Sequence, residues 1–242
     1  MKNLQISFGL FLLLGVSACS GTDSNKHQAA MDLAAAWVTA SYTSQDAALS
    51  MVDQNMAGDG VQVGSRYVGF GFVWDPEGDG MVVNYVVPES PASAVLMEGD
   101  SFVEVNGVRL TNENRINLGF RGKPGENVDA VILRDGVEMP ISVARGAVQI
   151  RNSKEQVMNN ISDGDAENWG PEDFNIVETG VTNDGVVYVL HWSEFIEDAT
   201  GYKANAYTVT RFMFNDDGKV AWVGNLSEDR FVLEQQGYSI TR

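Results

Sequence analysis

The chain has 242 residues, 44% of them hydrophobic and 20% charged, which is enough apolar material for one large or two modest cores and excludes disorder as the default. Its 33 acidic against 16 basic residues give a formal charge of −17, and no Lys/Arg cluster could follow a phosphate backbone, so nucleic acid is excluded as a partner. One cysteine and two histidines leave no intrachain disulfide and no multi-histidine metal site.

The N-terminus reads as a processed segment. Met1-Lys2 is a short positive region and Ile6 to Val16 an apolar run of signal-peptide length, too short for an ordinary membrane span. It ends in VSACS, Val16 to Ser20, which resembles a bacterial lipobox. The resemblance implies that residues 1–18 are removed and that Cys19 carries a lipid, an anchor holding the protein to a membrane. Ser20 after the cysteine resembles the outer-membrane sorting pattern, which implies a cell-envelope location facing the periplasm. The alternative is a plain secretory signal with a stray cysteine. SGTDSNKHQ, Ser20 to Gln28, is polar and aperiodic, so residues 19–28 read as a tether.

From Ala29, the residues Met31, Leu33, Ala34, Trp37, Val38 and Tyr42 recur at helical spacing. Ser44 offers an N-cap for a second helix over Asp46 to Met56, ended by AGDG. Short strands and turns follow: Val82 to Val87, Asp100 to Leu110, and a hairpin over Val128 to Arg145 turning at Asp135-Gly136. Pro91 to Met97 and Asn112 to Phe120 read as short helices between them, and Lys154 to Ile161 as another after them. Strands over Phe174 to Val181, Val186 to Glu197, Asn205 to Asn215 and Lys219 to Leu226 complete the pattern, joined by Asn183-Asp184-Gly185, Thr200-Gly201 and Asp216-Asp217-Gly218.

The stretch 61–146 resembles a PDZ domain. The matching pieces occur in that family's order: GFGF (Gly69 to Phe72), PESPASAVLMEGD (Pro88 to Asp100), FVEVNG (Phe102 to Gly107), RGKPGENV (Arg121 to Val128) and LRDG (Leu133 to Gly136). The resemblance implies that the loop Gly69, Phe70, Gly71 and Phe72 receives the carboxylate of a protein C-terminus, with the N–H groups of Phe70, Gly71 and Phe72 as the donors. The rest of that peptide, or another extended segment, would lie beside Val73 and Trp74 as an added strand. Phe70 and Phe72 would line the pocket for the last side chain, and Leu118 would face the groove from a helix. These aromatics are bulkier than the family's usual aliphatics and could instead fill the pocket. Arg66 reads either as an attractor for the carboxylate or as a solvated strand-end charge.

The flanks, 29–60 and 147–242, together resemble a split SnoaL-like domain, the cone fold of some polyketide cyclases and ketosteroid isomerase. The resemblance rests on the helix pair Ala34 to Met56, on SKEQVMNNI, and on Trp192 to Asp229 with its TG turn and DGK hairpin. It implies an apolar cone pocket for which Trp37, Tyr188, His191, Trp192 and Glu194, with Asp229, are the candidates. His191 and Trp192 are neighbours on a strand and face opposite ways, and core packing explains the aromatics equally well. No cofactor motif, no metal motif and no catalytic residue set is found. DGDAENWGPED lacks the glycine and glutamate of an EF-hand, and Ser153-Lys154 are merely adjacent, with no room for a protease domain.

The expected fold is therefore α+β: a PDZ β-sandwich or partly open barrel with two helices, inserted in or joined to an α+β cone with a curved antiparallel sheet. The expected function is peptide or protein binding at the envelope, as adaptor or quality-control factor. The alternative is a small-molecule-binding or isomerase-type cone regulated by the PDZ module. The oligomeric state is left open.

Overall fold

The computed structural model describes residues 20–76, 78–196 and 201–238. The signal segment, the lipidation candidate Cys19 and Thr200 of the expected TG turn lie outside them. The described residues begin with helices α1 (Ser20–Thr43) and α2 (Gln45–Asn55). Strands β1 (Met56–Val63), β2 (Tyr67–Gly69), β3 (Phe72–Trp74) and β4 (Val83–Val86) follow. Next come β5 (Ser101–Val105), β6 (Val108–Arg109), β7 (Asn127–Arg134), β8 (Val137–Ala144), β9 (Gly146–Val148) and β10 (Arg151–Ser153). Helix α3 (Lys154–Ser162), strands β11 (Asp173–Val181), β12 (Val187–Ile196), β13 (Lys203–Phe214) and β14 (Val220–Ser227), and helix α4 (Asp229–Gln235) complete it. This is an α+β fold, mostly sheet, and among the described residues its sheets stay open.

The helix starts follow their caps. Ser44 accepts from the Ala47 amide at 3.1 Å, and Ser153 with Gln156 closes a reciprocal capping box at the start of α3. The expected tether is helical over residues 20–28, continuous with α1. With a nucleus already formed from Ala29 onward, each added turn needs no new nucleation, and Gln28 Nε2 donates to Asp32 at 2.8 Å.

Six strands form one sheet in the order β10-β1-β14-β13-β12-β11. Helices α1, α2 and α3 cover one face of it, burying Trp37, Val52, Val157, Val189 and Phe212 in a shared core. The sheet is mixed, not wholly antiparallel, because β1 runs parallel to β14. β1 is also antiparallel to β10, with Val61 opposite Ser153, so the chain leaves and re-enters the sheet on neighbouring strands.

Between those two strands lies a second core built from Phe70, Met81, Val83, Leu96, Phe102, Leu118 and Ile132 among others. It is bounded by the pairs β2-β9 and β3-β4 and by the sheet β6-β5-β7-β8. The two helices expected here are single 3₁₀ turns, Pro91–Ala94 and Arg115–Asn117. At the second, the Asn114 side chain accepts from the Thr111 amide at 2.9 Å and donates to the Arg109 carbonyl at 2.9 Å. That local alternative competes with helix. Gly119, at φ +74°, then ends the turn.

Candidate functional site

The loop from Gly69 to Phe72 joins β2 to β3 and is fixed by its carbonyls. The Phe70 carbonyl accepts from the Ala92 amide at 2.8 Å; the Gly71 carbonyl accepts from the Val87 amide at 3.0 Å and from Ser90 Oγ at 3.0 Å. In a trans peptide the C=O and the next N–H point opposite ways. The amides of Gly71 and Phe72 are therefore both turned away from the segment 87–92. Neither has an acceptor among the described residues. Among the described residues β3 is paired only with β4, so its other edge is open on the side to which the Phe72 amide points.

The glycines serve the loop's own packing. Gly71 sits at φ +97°, and a Cβ there would stand 2.3 Å from Ser90 Cβ. A Cβ on Gly69 would meet the Tyr67 ring at 2.7 Å. Gly71 demands a residue without a side chain on both counts, whereas at Gly69 a Cβ would require only that the Tyr67 ring shift.

Along the open edge runs a groove of about 560 Å³ lined by Phe72, Trp74, Met81, Arg115, Phe120 and Arg121, with Asn117 and Gly119. Phe72 and Trp74 face it, whereas Val73 points out of it, 42% exposed. Two of the sequence candidates are displaced. Phe70 (1% exposed) and Leu118 (5%) lie beneath the groove in the core instead of lining it. Phe70 is held by rings, 6.1 Å from Phe72 and 5.9 Å from Phe120, and Leu118 turns inward because the expected helix is absent. The groove's outer wall is held from the strands instead: Asn106 Nδ2 donates to the Leu118 carbonyl at 3.1 Å, and Arg145 donates to the carbonyls of Gly119, Glu126 and Asn127.

Two cationic residues of the groove escaped sequence reading. The Arg121 guanidinium lies 5.3 Å over the Tyr67 ring, near the loop, and that of Arg115 lies 5.1 Å over Trp74, at the far end. Arg66, read from sequence either as a carboxylate attractor or as a solvated charge, borders a separate depression with Pro88, Glu89 and Arg151. A signal for Arg121 was available in the basic RGK that follows Phe120.

The six-stranded sheet and its helices border another recess, open to solvent. A cavity of about 850 Å³ is lined by Tyr42, Trp169, Ser193, Phe195, Thr208 and Asp229 among others. A smaller one of about 130 Å³, sharing Tyr42 and Asn225 with it, reaches Trp37, Gln62, His191 and Thr210. The Trp169 indole donates to the Ser41 carbonyl at 3.0 Å and so fixes one lip. Of the cone candidates, Trp37, His191 and Asp229 line these spaces. Tyr188, Trp192 and Glu194 do not: alternation along β12 puts them on the opposite face, where Glu194 pairs with Lys203 at 2.6 Å. His191 is 2% exposed, its Nε2 2.9 Å from Thr210 Oγ1, and its Nδ1 has no partner among the described residues. Burial pushes its pKa down to about 4, so the ring is neutral. Burial raises that of the Tyr42 hydroxyl, a rise partly offset by its hydrogen bond with Ser193.

Among the described residues no cluster of His, Cys, Asp and Glu has metal-site geometry. No helix among them is long and apolar enough to cross a membrane.

No protein-family model matches the chain, and no curated protein matches it. Solved structures do. A phenazine biosynthesis-related protein from Pseudomonas aeruginosa is 8% identical, with 95% of this chain and 93% of that one covered and a TM-score of 0.42. The HtrA3 PDZ domain bound to a phage-derived ligand is 22% identical over 38% of this chain and 93% of that one, at a TM-score of 0.27. A PDZ domain protein from Parabacteroides distasonis is 11% identical over 73% of this chain and 63% of that one, at a TM-score of 0.27.

Proposed function

We propose that this chain is a lipid-anchored envelope protein with a PDZ-type unit over residues 61–146. In this reading the unit captures the C-terminus or an extended segment of another protein, and the chain serves as adaptor or quality-control factor. The observation that carries the reading is the pair of outward-turned amides, Gly71 and Phe72, at the head of a strand edge unpaired among the described residues. A carboxylate received there gains hydrogen bonds to a charged group, each contributing about 1.5–3 kcal/mol, and the peptide behind it adds to β3 as a strand. Arg121 supplies local positive potential, which short-range screening protects from the −17 formal charge of the whole. The five family-like motifs support the same reading. The test is a library of free-carboxylate C-terminal hexapeptides titrated onto the full-length protein, each hit remade as its amide. A tenfold or greater loss on amidation is expected; equal affinity for acid and amide rejects carboxylate capture.

The anchor rests on VSACS. Replacing Cys19 with alanine should move the protein from the membrane fraction to the soluble one; unchanged partition would remove the anchor from the proposal.

A second reading is favoured by one observation, the Nδ1 of buried His191, which has no partner among the described residues, beside the cone cavity. It makes the split SnoaL-like unit, residues 29–60 and 147–242, a binder of a small neutral molecule, with the PDZ-type unit regulating it. Soaking crystals with a small-molecule fragment set tests it: a fragment hydrogen-bonded to His191 supports it, and a cavity holding only water removes it.

A further inference from the structure

The inner face of the six-stranded sheet changes character along its length. Near the turn between β11 and β12 it is core, with Val187 opposite Phe212 and Phe212 opposite Val223. Toward the recess the inward positions become polar: His191 lies opposite Thr208, Thr210 opposite Asn225, and Ser193 follows His191 on β12. His191, Ser193, Thr208 and Thr210 are all buried, and burying a polar group costs free energy unless it is hydrogen-bonded. Thr210 Oγ1 meets His191 Nε2 at 2.9 Å and Tyr42 bonds Ser193, yet His191 lines the inner cavity with its Nδ1 unpartnered among the described residues. Such a band is unfavourable as core and suits the wall of a binding site.

Charge and shape narrow what would bind. The recess and its inner extension have no lysine or arginine among their described lining residues, and the charged groups there are Asp165 and Asp229, both exposed at the rim. An anion would meet carboxylates and no counter-charge. A wholly apolar molecule would cover the polar band without supplying partners to it. A hydroxyl both donates and accepts, so it can pair with a threonine, an asparagine amide or either nitrogen of a neutral imidazole. Trp169, its indole held by the Ser41 carbonyl at 3.0 Å, and Phe195 add apolar faces against which the C–H side of a sugar ring can pack. We infer that the recess binds a neutral saccharide. One ring lies against Trp169 with its hydroxyls on Thr208 and Asn225, and an exocyclic group enters the inner cavity between Tyr42 and Asn225, toward His191.

This rests on the second reading, that the split unit binds a small neutral molecule, and the probes separate the two. Maltotriose, cellotriose and triacetylchitotriose are each titrated calorimetrically onto the full-length protein, beside progesterone as an apolar neutral probe and choline as a cationic one. Saturable binding of at least one trisaccharide is expected, weakened about tenfold or more in Trp169→Ala and in Asn225→Ala. Asn225 is exposed, so its variant serves if loss of the tryptophan unfolds the lip. No binding of any trisaccharide at millimolar concentration overturns the inference, as does binding that neither variant weakens. Progesterone binding alone, lost in the variants, overturns the saccharide and leaves the second reading standing. Choline binding alone overturns both, since each requires a neutral ligand.

Discussion

Ser90 stands where Gly71 would carry a side chain: its Oγ donates to the Gly71 carbonyl at 3.0 Å, and its Cβ lies 2.3 Å from the place a Gly71 Cβ would take. That contact turns the Gly71 carbonyl inward and, through the planar peptide, the Phe72 amide outward.

Gly71→Ala should therefore cost twice, through φ +97° and through collision with Ser90. A loss of at least about 2 kcal/mol is expected in urea unfolding, with loss of peptide binding in the same preparation. Ser90→Ala keeps the Cβ and removes only the hydrogen bond, so it should cost about 1 kcal/mol.

Phe70→Ala should behave as a core deletion. The ring is 1% exposed and packed against Phe72 and Phe120, so about 3–5 kcal/mol is expected from urea unfolding. Val73→Ser, on an exposed position of the neighbouring strand, should stay within about 0.5 kcal/mol. Equal costs would mean that Phe70 lines a pocket after all.

His191 sets a pH window. Burial lowers its pKa from 6.5 to about 4, so between those values the unfolded chain takes up a proton that the folded chain refuses. Stability therefore rises with pH across that interval and falls as acid is added, by up to about 3 kcal/mol at pH 4. Urea midpoints from pH 4 to 7 should show this slope in the wild type and its loss in His191→Gln.

Asp100 and Arg134 form a second, lower window. Arg134 Nε and Nη2 reach the two Asp100 oxygens at 2.7 and 2.6 Å, and the Asp100 side chain is fully buried. Burial alone would raise this carboxyl's pKa, but the Arg134 hydrogen bonds, the Met97 amide and the Arg134 charge together hold it below 3.8. Its contribution is thus complete above that value and fades as pH falls beneath it. Arg134→Met, which strands the carboxylate, should lower the urea midpoint at pH 7 and lower it less at pH 3, where the stranded carboxyl can take up a proton.

Legibility followed local signals. Strict alternation made β12 and β13 readable, Asp135-Gly136 marked the β7-β8 turn, and Ser44 and Ser153 marked helix starts. β1 was hidden because MAGDGVQV has two glycines and no alternation; it is a strand only because β14 and β10 flank it. The segment Asn112 to Phe120 has enough apolar residues for a helix, but Asn114 captures the backbone locally and Gly119 ends the turn. The glycine loop was found by its pattern, whereas Arg115 and Arg121 join the groove through contacts with Trp74 and Tyr67 that no spacing encodes. Tyr188, Trp192 and Glu194 were misplaced relative to the cone although the two-residue period of β12 already separated them from His191.

The pairing of Val63 with Arg151 holds the two ends of the groove-bearing stretch one rung apart. A short hairpin turn could splice across that gap, so the helix-backed sheet should survive excision of residues 64–150. By the same token the groove could be grafted into any exposed loop whose stems stand about 5 Å apart, its grip travelling with it because both stems enter from one side.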